Sequence, residues 1–157
     1  MPELTGIETV RKTIEKWLED EDFTIWKFPD ENAHFSYKTA RDDCLPLLIY
    51  QPRHRTDSIQ VSSDVRLSKE DHKKLHTIRD RERFLLFDFK MVLLSTACNW
   101  QFIPSVDNWR TLRVSKAVFY DGLSKDKFFE TVEAVARAVS TVMVTFQWKF
   151  DITPVVS

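Results

Sequence analysis

From Ile7 to Leu18 the apolar residues recur every three or four positions, and from Phe23 to Ser62 they recur every two. Side chains repeat every 3.6 residues along a helix and every two along a strand, so this change predicts one opening helix followed by several strands in succession. The strands are residues 23–28, 33–38, 45–50 and 58–62. In the second, Ala33, Phe35 and Tyr37 alternate with His34, Ser36 and Lys38, the pattern of a half-buried strand. The third is a continuous apolar run with Pro46 near its start, where a missing N–H does least harm. The turns are Pro29-Asp30-Glu31-Asn32 and the polar stretch Arg53 to Asp57. Strands joined by such short turns pair antiparallel, because parallel neighbours need a crossover of about a dozen residues.

Helices flank this block. Thr5 and Glu8 form a capping-box pattern ahead of Ile7, Val10, Ile14, Trp17 and Leu18, which predicts a helix over residues 5–21. Ser68, three residues before Asp71, opens one long or broken helix over residues 68–98. Two more strands follow at residues 100–103 and 112–120. Ser124 caps a last helix, with Leu123 and Phe128 as a hydrophobic staple, and its stripe runs through Val132, Val135, Val139, Val142 and Phe146 to Phe150. Residues 152–157 are expected to fray. The order α-β-β-β-β-α-β-β-α groups its strands, so the class is α+β, an antiparallel sheet with helices packed on one face. With no repeat or linker, residues 1–157 read as one domain with a core at about 5–150.

Composition excludes several functions. Two glycines, Gly6 and Gly122, cannot make the glycine-rich loops that cradle phosphate. A formal net charge of -1 provides no global attraction to nucleic acid or anionic membrane. Cys44 and Cys98 have no metal or redox spacing and read as buried thiols in a reducing compartment. The start Met-Pro-Glu-Leu-Thr lacks the pattern of a secretory signal. Residues 84–98 are broken by Asp88 and Lys90 and fall short of the roughly 20 apolar residues that cross a bilayer. The expected location is cytoplasmic, away from membrane.

Reactive constellations are weak. His72 and His76 have the helical spacing of a metal pair, but Lys73 and Lys74 stand between them, and the expectation is no metal. Arg53, His54 and Arg55, and the mixed cluster Arg79, Asp80, Arg81, Glu82 and Arg83, read as solvated surface, which disfavours nucleic acid. No nucleophile elbow frames a serine, and Asp42 and Asp43 lie at a turn. No catalytic residue or cofactor is expected. The alternative is a small-ligand or enzymatic pocket between sheet and helix, using His34, Tyr37 or Cys44.

Two helices carry more apolar surface than one packed face requires. Phe84, Leu85, Leu86, Phe87, Phe89, Met91, Val92, Leu93 and Leu94 point in nearly every direction. Val144 and Trp148 fall on the side of Glu133 and Arg137. Either the first helix and loops cover these surfaces or a second copy does. A two-fold dimer is favoured, with Phe87, Phe89, Leu93, Val144 and Trp148 as candidate interface.

Three segments carry a resemblance: Trp17-Leu18-Glu19 at the end of the first helix, Pro29-Asp30-Glu31-Asn32-Ala33-His34-Phe35, and Tyr120-Asp121-Gly122-Leu123-Ser124-Lys125-Asp126. Over nearly the whole chain the sequence resembles the archaeal proteins grouped as domain of unknown function 2299. Its element order is similar to the fold of type III secretion chaperones, small dimeric α+β proteins that hold segments of clients. The family of unknown function has no established activity, so the resemblance implies a fold without site residues. The excess apolar helix surface and the absence of a convergent reactive motif favour a non-catalytic, homodimeric chaperone-like or protein- or peptide-binding module.

Overall fold

The computed structural model describes residues 6–78, 87–105 and 108–157. Its elements are α1 (Ile7–Asp20), β1 (Thr24–Lys27), β2 (Ala33–Arg41), β3 (Cys44–Pro52), β4 (Ser58–Arg66), α2 (Lys69–Thr77), α3 (Phe89–Leu94), β5 (Asn99–Ile103), β6 (Thr111–Phe119), a 3-10 turn (Tyr120–Gly122), α4 (Lys125–Phe150) and β7 (Val155–Val156). The class is α+β, an antiparallel sheet with helices packed on it. The chain forms two compact units, one from Met1–Ser62 and Lys116–Glu133, the other from Ser63–Ser115 and Ala134–Ser157.

In the first unit the strands are ordered β1-β2-β3-β4. They pair antiparallel, with Trp26 opposite Lys38, Tyr37 opposite Ile49 and Ile49 opposite Val61. Val10, Ile14 and Leu18 make the apolar stripe of α1 and are fully buried, each stabilising the fold by roughly 1.5–3 kcal/mol. Leu47, Ile49, Ile59, Val61 and Phe128 complete that core, and the ring of Trp17 lies 6.0 Å from that of Phe128. Gly6 occupies the N-cap of α1 with φ 94°, a left-handed value that glycine adopts without side-chain strain. The expected cap Thr5 lies outside the described residues, and Glu8 accepts from Arg11 Nε at 2.9 Å. Ser124 does cap α4: its Oγ accepts from the Lys127 N–H at 3.1 Å.

In the second unit β4 is followed by β6 and β5, and β7 also pairs with β4. β5 and β6 are antiparallel, with Trp100 opposite Val114. β4 runs beyond the predicted end at Ser62, and Ser62, Ser63 and Asp64 are all buried. Arg113 on β6 donates to both carboxylate oxygens of Asp64, at 2.8 and 2.9 Å, so the buried charge is satisfied by a two-pronged partner. Five rings pack the interior: Phe146 meets Phe89 at 5.0 Å and Trp109 at 5.5 Å edge-on, and Phe102 and Phe150 close the cluster.

One expectation is narrowed and one corrected. Of the long or broken helix expected over residues 68–98, the broken form is observed. Ser68 Oγ caps α2 by accepting from Asp71 N–H at 3.0 Å, but Ile78 is extended, with φ −74° and ψ 127°. Leu75 is the one buried residue of α2, so packing gives little support for further turns. Residues 79–86 lie outside the described residues, and helix resumes at α3. The tail does not fray. Ile152 is fully buried, and Asp64 and Ser157 exchange two backbone hydrogen bonds at 3.1 and 2.9 Å, which holds β7 on β4. Among the described residues no helix is long and apolar enough to cross a membrane.

Candidate functional site

Apart from Val155 on β7, the large exposed apolar residues described in the second unit lie on or beside two helices. On α3, Phe89 and Leu93 stand one turn apart and face inward, at 0% and 1% exposure, because Phe89 is wedged against Phe146 and Phe102. Phe87, just before α3, and Met91 and Leu94 within it are spaced by four and three residues, which aligns them on one stripe. They are 65%, 68% and 63% exposed. On α4, Val142, Phe146 and Phe150 go inward, while Val144 and Trp148, one turn apart, are 63% and 84% exposed. Of the five residues expected at an interface, Phe87, Val144 and Trp148 are therefore at the surface. Phe89 and Leu93 are core, and they have no surface to offer a partner. Met91 and Leu94 were missed, although their spacing from Phe87 is the signal that places them beside it.

The first unit contains a cavity of about 260 Å³ between α1 and the hairpin of β1 and β2, lined by Arg11, Lys27, Phe28, Pro29, Phe35, Ser36 and Tyr37. Glu15 organises its polar side. One carboxylate oxygen accepts from the Tyr37 hydroxyl, from Arg11 at 2.8 Å and from Lys27 at 3.2 Å. Burial alone would raise the Glu15 carboxyl, but the hydrogen bonds from Tyr37 and Lys27 and the Arg11 charge outweigh it and hold the group below its ordinary value. Burial, reinforced by Glu15, pushes the Tyr37 phenol well above its ordinary range, so it stays a donor. Phe35 stacks on Tyr37 with ring centres 5.4 Å apart. Both cations are balanced by carboxylates, and the cavity is small beside the roughly 300–1,000 Å³ of ligand pockets.

Of the three residues expected at a pocket, Tyr37 lines this one. His34 is exposed on β2, and Cys44 begins β3 opposite Arg41. Burial pushes the Cys44 thiol up, away from the thiolate that nucleophilic chemistry requires. The sequence had no way to reveal Glu15, whose partner Tyr37 lies 22 residues away. Arg53, His54 and Arg55 are exposed, and the Arg55 guanidinium sits 5.8 Å from the centre of the Phe119 ring. The cluster from Arg79 to Arg83 lies outside the described residues.

Comparison with known proteins places this fold. A crystal structure of an uncharacterized protein from Methanothermobacter thermautotrophicus is similar at 27% identity with a TM-score of 0.79, covering 89% of this chain and 98% of that one. The crystal structure of YbjN from E. coli, a proposed transcription regulator, is similar at 14% identity with a TM-score of 0.59, covering 96% of each chain, a likeness of fold alone. No curated protein matches the sequence. Residues 10–146 match the profile of the uncharacterized conserved proteins DUF2299, and the chain belongs to that family.

Proposed function

We propose that this chain is a non-catalytic, homodimeric protein-binding module of chaperone-like type. The observation that carries the proposal is the exposed apolar side chains of the second unit: Phe87, Met91, Leu94, Val144 and Trp148 are each more than half exposed. Soluble monomers rarely leave large apolar residues clustered in water, and a two-fold axis through such a stripe covers it on both copies at once. A client joins as an extended segment along β5, the last strand in the sheet order. The raised thiol of Cys44 supports a role without nucleophilic chemistry. Cys44 and Cys98, which form no disulfide, support a reducing, cytoplasmic setting.

The test is suppression of aggregation. Full-length protein in molar excess over a thermally unfolding enzyme is expected to lower its light scattering, and scattering unchanged at every ratio contradicts the client-holding role.

A further inference from the structure

We propose that His72, His76 and Asn108 form a binding site for a divalent transition-metal cation of the class that prefers imidazole, such as zinc or nickel. The two histidines lie one turn apart on α2, and their Nε2 atoms stand 3.1 Å from each other. Asn108, from the loop before β6, brings its Oδ1 to 3.0 Å from His72 Nε2.

These separations are those of ligands around one ion. Imidazole nitrogens bind zinc at about 2.0–2.1 Å, so two of them at angles between square and tetrahedral stand roughly 2.8–3.4 Å apart. Both observed distances fall inside that range. A neutral imidazole offers one nitrogen lone pair and an amide oxygen offers two, so a cation beside these atoms can draw on each of the three side chains.

Lys73 and Lys74 stand between the two histidines in sequence. The fold turns the second away: Lys74 Nζ donates to the Asp151 carbonyl at 3.1 Å. Lys73 is exposed on the helix surface, where water screens its charge. Among the described residues no group of three or more His, Cys, Asp and Glu side chains gathers, so the third protein ligand is the Asn108 oxygen and water completes the shell.

Calorimetric titration of the full chain with zinc chloride tests the site, repeated with nickel chloride. One saturable site is expected. His72→Gln and His76→Gln are each expected to abolish it, and Asn108→Ala to weaken it about ten-fold, since a neutral amide oxygen is a weaker ligand than imidazole for these ions. His34→Gln and His54→Gln are expected to bind as the native chain does. All these side chains lie at or near the surface, and circular dichroism checks that each variant folds. Absence of saturable binding overturns the proposal, as does binding that survives in both His72→Gln and His76→Gln, since that ion would sit elsewhere, for instance on Cys44. Binding lost in both histidine variants but unchanged in Asn108→Ala overturns the role of Asn108.

Discussion

Trp148→Ala separates the two places where an aromatic residue can be useful. Trp148 is 84% exposed in the single chain, so its removal exposes little and leaves little cavity. A surface change of that kind alters folding stability by no more than about 0.5 kcal/mol. In the proposed dimer the same ring is buried against the partner. A tryptophan side chain buries roughly 150–250 Å², and 84% of that at about 25 cal/mol/Å² is roughly 3–5 kcal/mol of transfer free energy per ring. Ordering costs consume part of it, and interface anchors retain at least about 2 kcal/mol each. Two-fold symmetry places the ring twice, so the dimer loses at least about 4 kcal/mol, a weakening near 1,000-fold in dissociation constant. Sedimentation equilibrium across a concentration series reads the dissociation constant, and a melt at high dilution reads the folding of the separated chain. The expected variant melts like the native chain at high dilution and dissociates at far higher concentration. An unchanged dissociation constant refutes the interface. A melting temperature lowered by more than a few degrees at high dilution refutes the claim that Trp148 is idle in folding.

Phe146→Ala is the converse case: the ring is fully buried against Phe89, Trp109 and Phe150, and its loss is expected to cost about 3–5 kcal/mol. At about 2–4 °C per kcal/mol for a chain of this size the melting temperature falls by roughly 6–20 °C, and a fall no larger than that of Trp148→Ala contradicts the aromatic core. Glu15→Gln tests the cavity charge. A carboxyl held low in the folded state contributes stability above its unfolded value and loses it as pH falls through the folded one. The variant is therefore expected to be less stable than the native chain at pH 7 by about 1–3 kcal/mol, with the gap closing in acid, and a gap independent of pH contradicts the assignment. Deleting residues 153–157 removes the acceptor for the Asp64 amide, so hydrogen exchange at Asp64 is expected to accelerate strongly, and unchanged protection contradicts the β7 pairing.

Local signals in the sequence carried most of the architecture. Ser68 and Ser124 stand at the helix starts where their caps are observed, because a hydroxyl three residues before a free N–H is a geometric fact of short range. Period-two alternation placed Ala33, Phe35 and Tyr37 on a buried face for the same reason. Features depending on distant partners were not legible. Phe89 and Leu93 look no different from Met91 and Leu94 until the fold sets Phe146, more than fifty residues away, against Phe89 and buries both of the first pair. The tail Val155–Val156 is too short to read as a strand, and only the register against Val65 and Arg66 makes it one. Glu15 on Tyr37 and His72 on Asn108 are likewise pairs that the fold assembles from separate segments.

The central claim is that the exposed apolar side chains of α3 and α4 are covered by a second copy. Light scattering coupled to size-exclusion chromatography measures the solution mass directly. The account predicts twice the 18.6 kDa of one chain, about 37 kDa, holding steady on dilution through the micromolar range. A mass of 18.6 kDa at every concentration contradicts it.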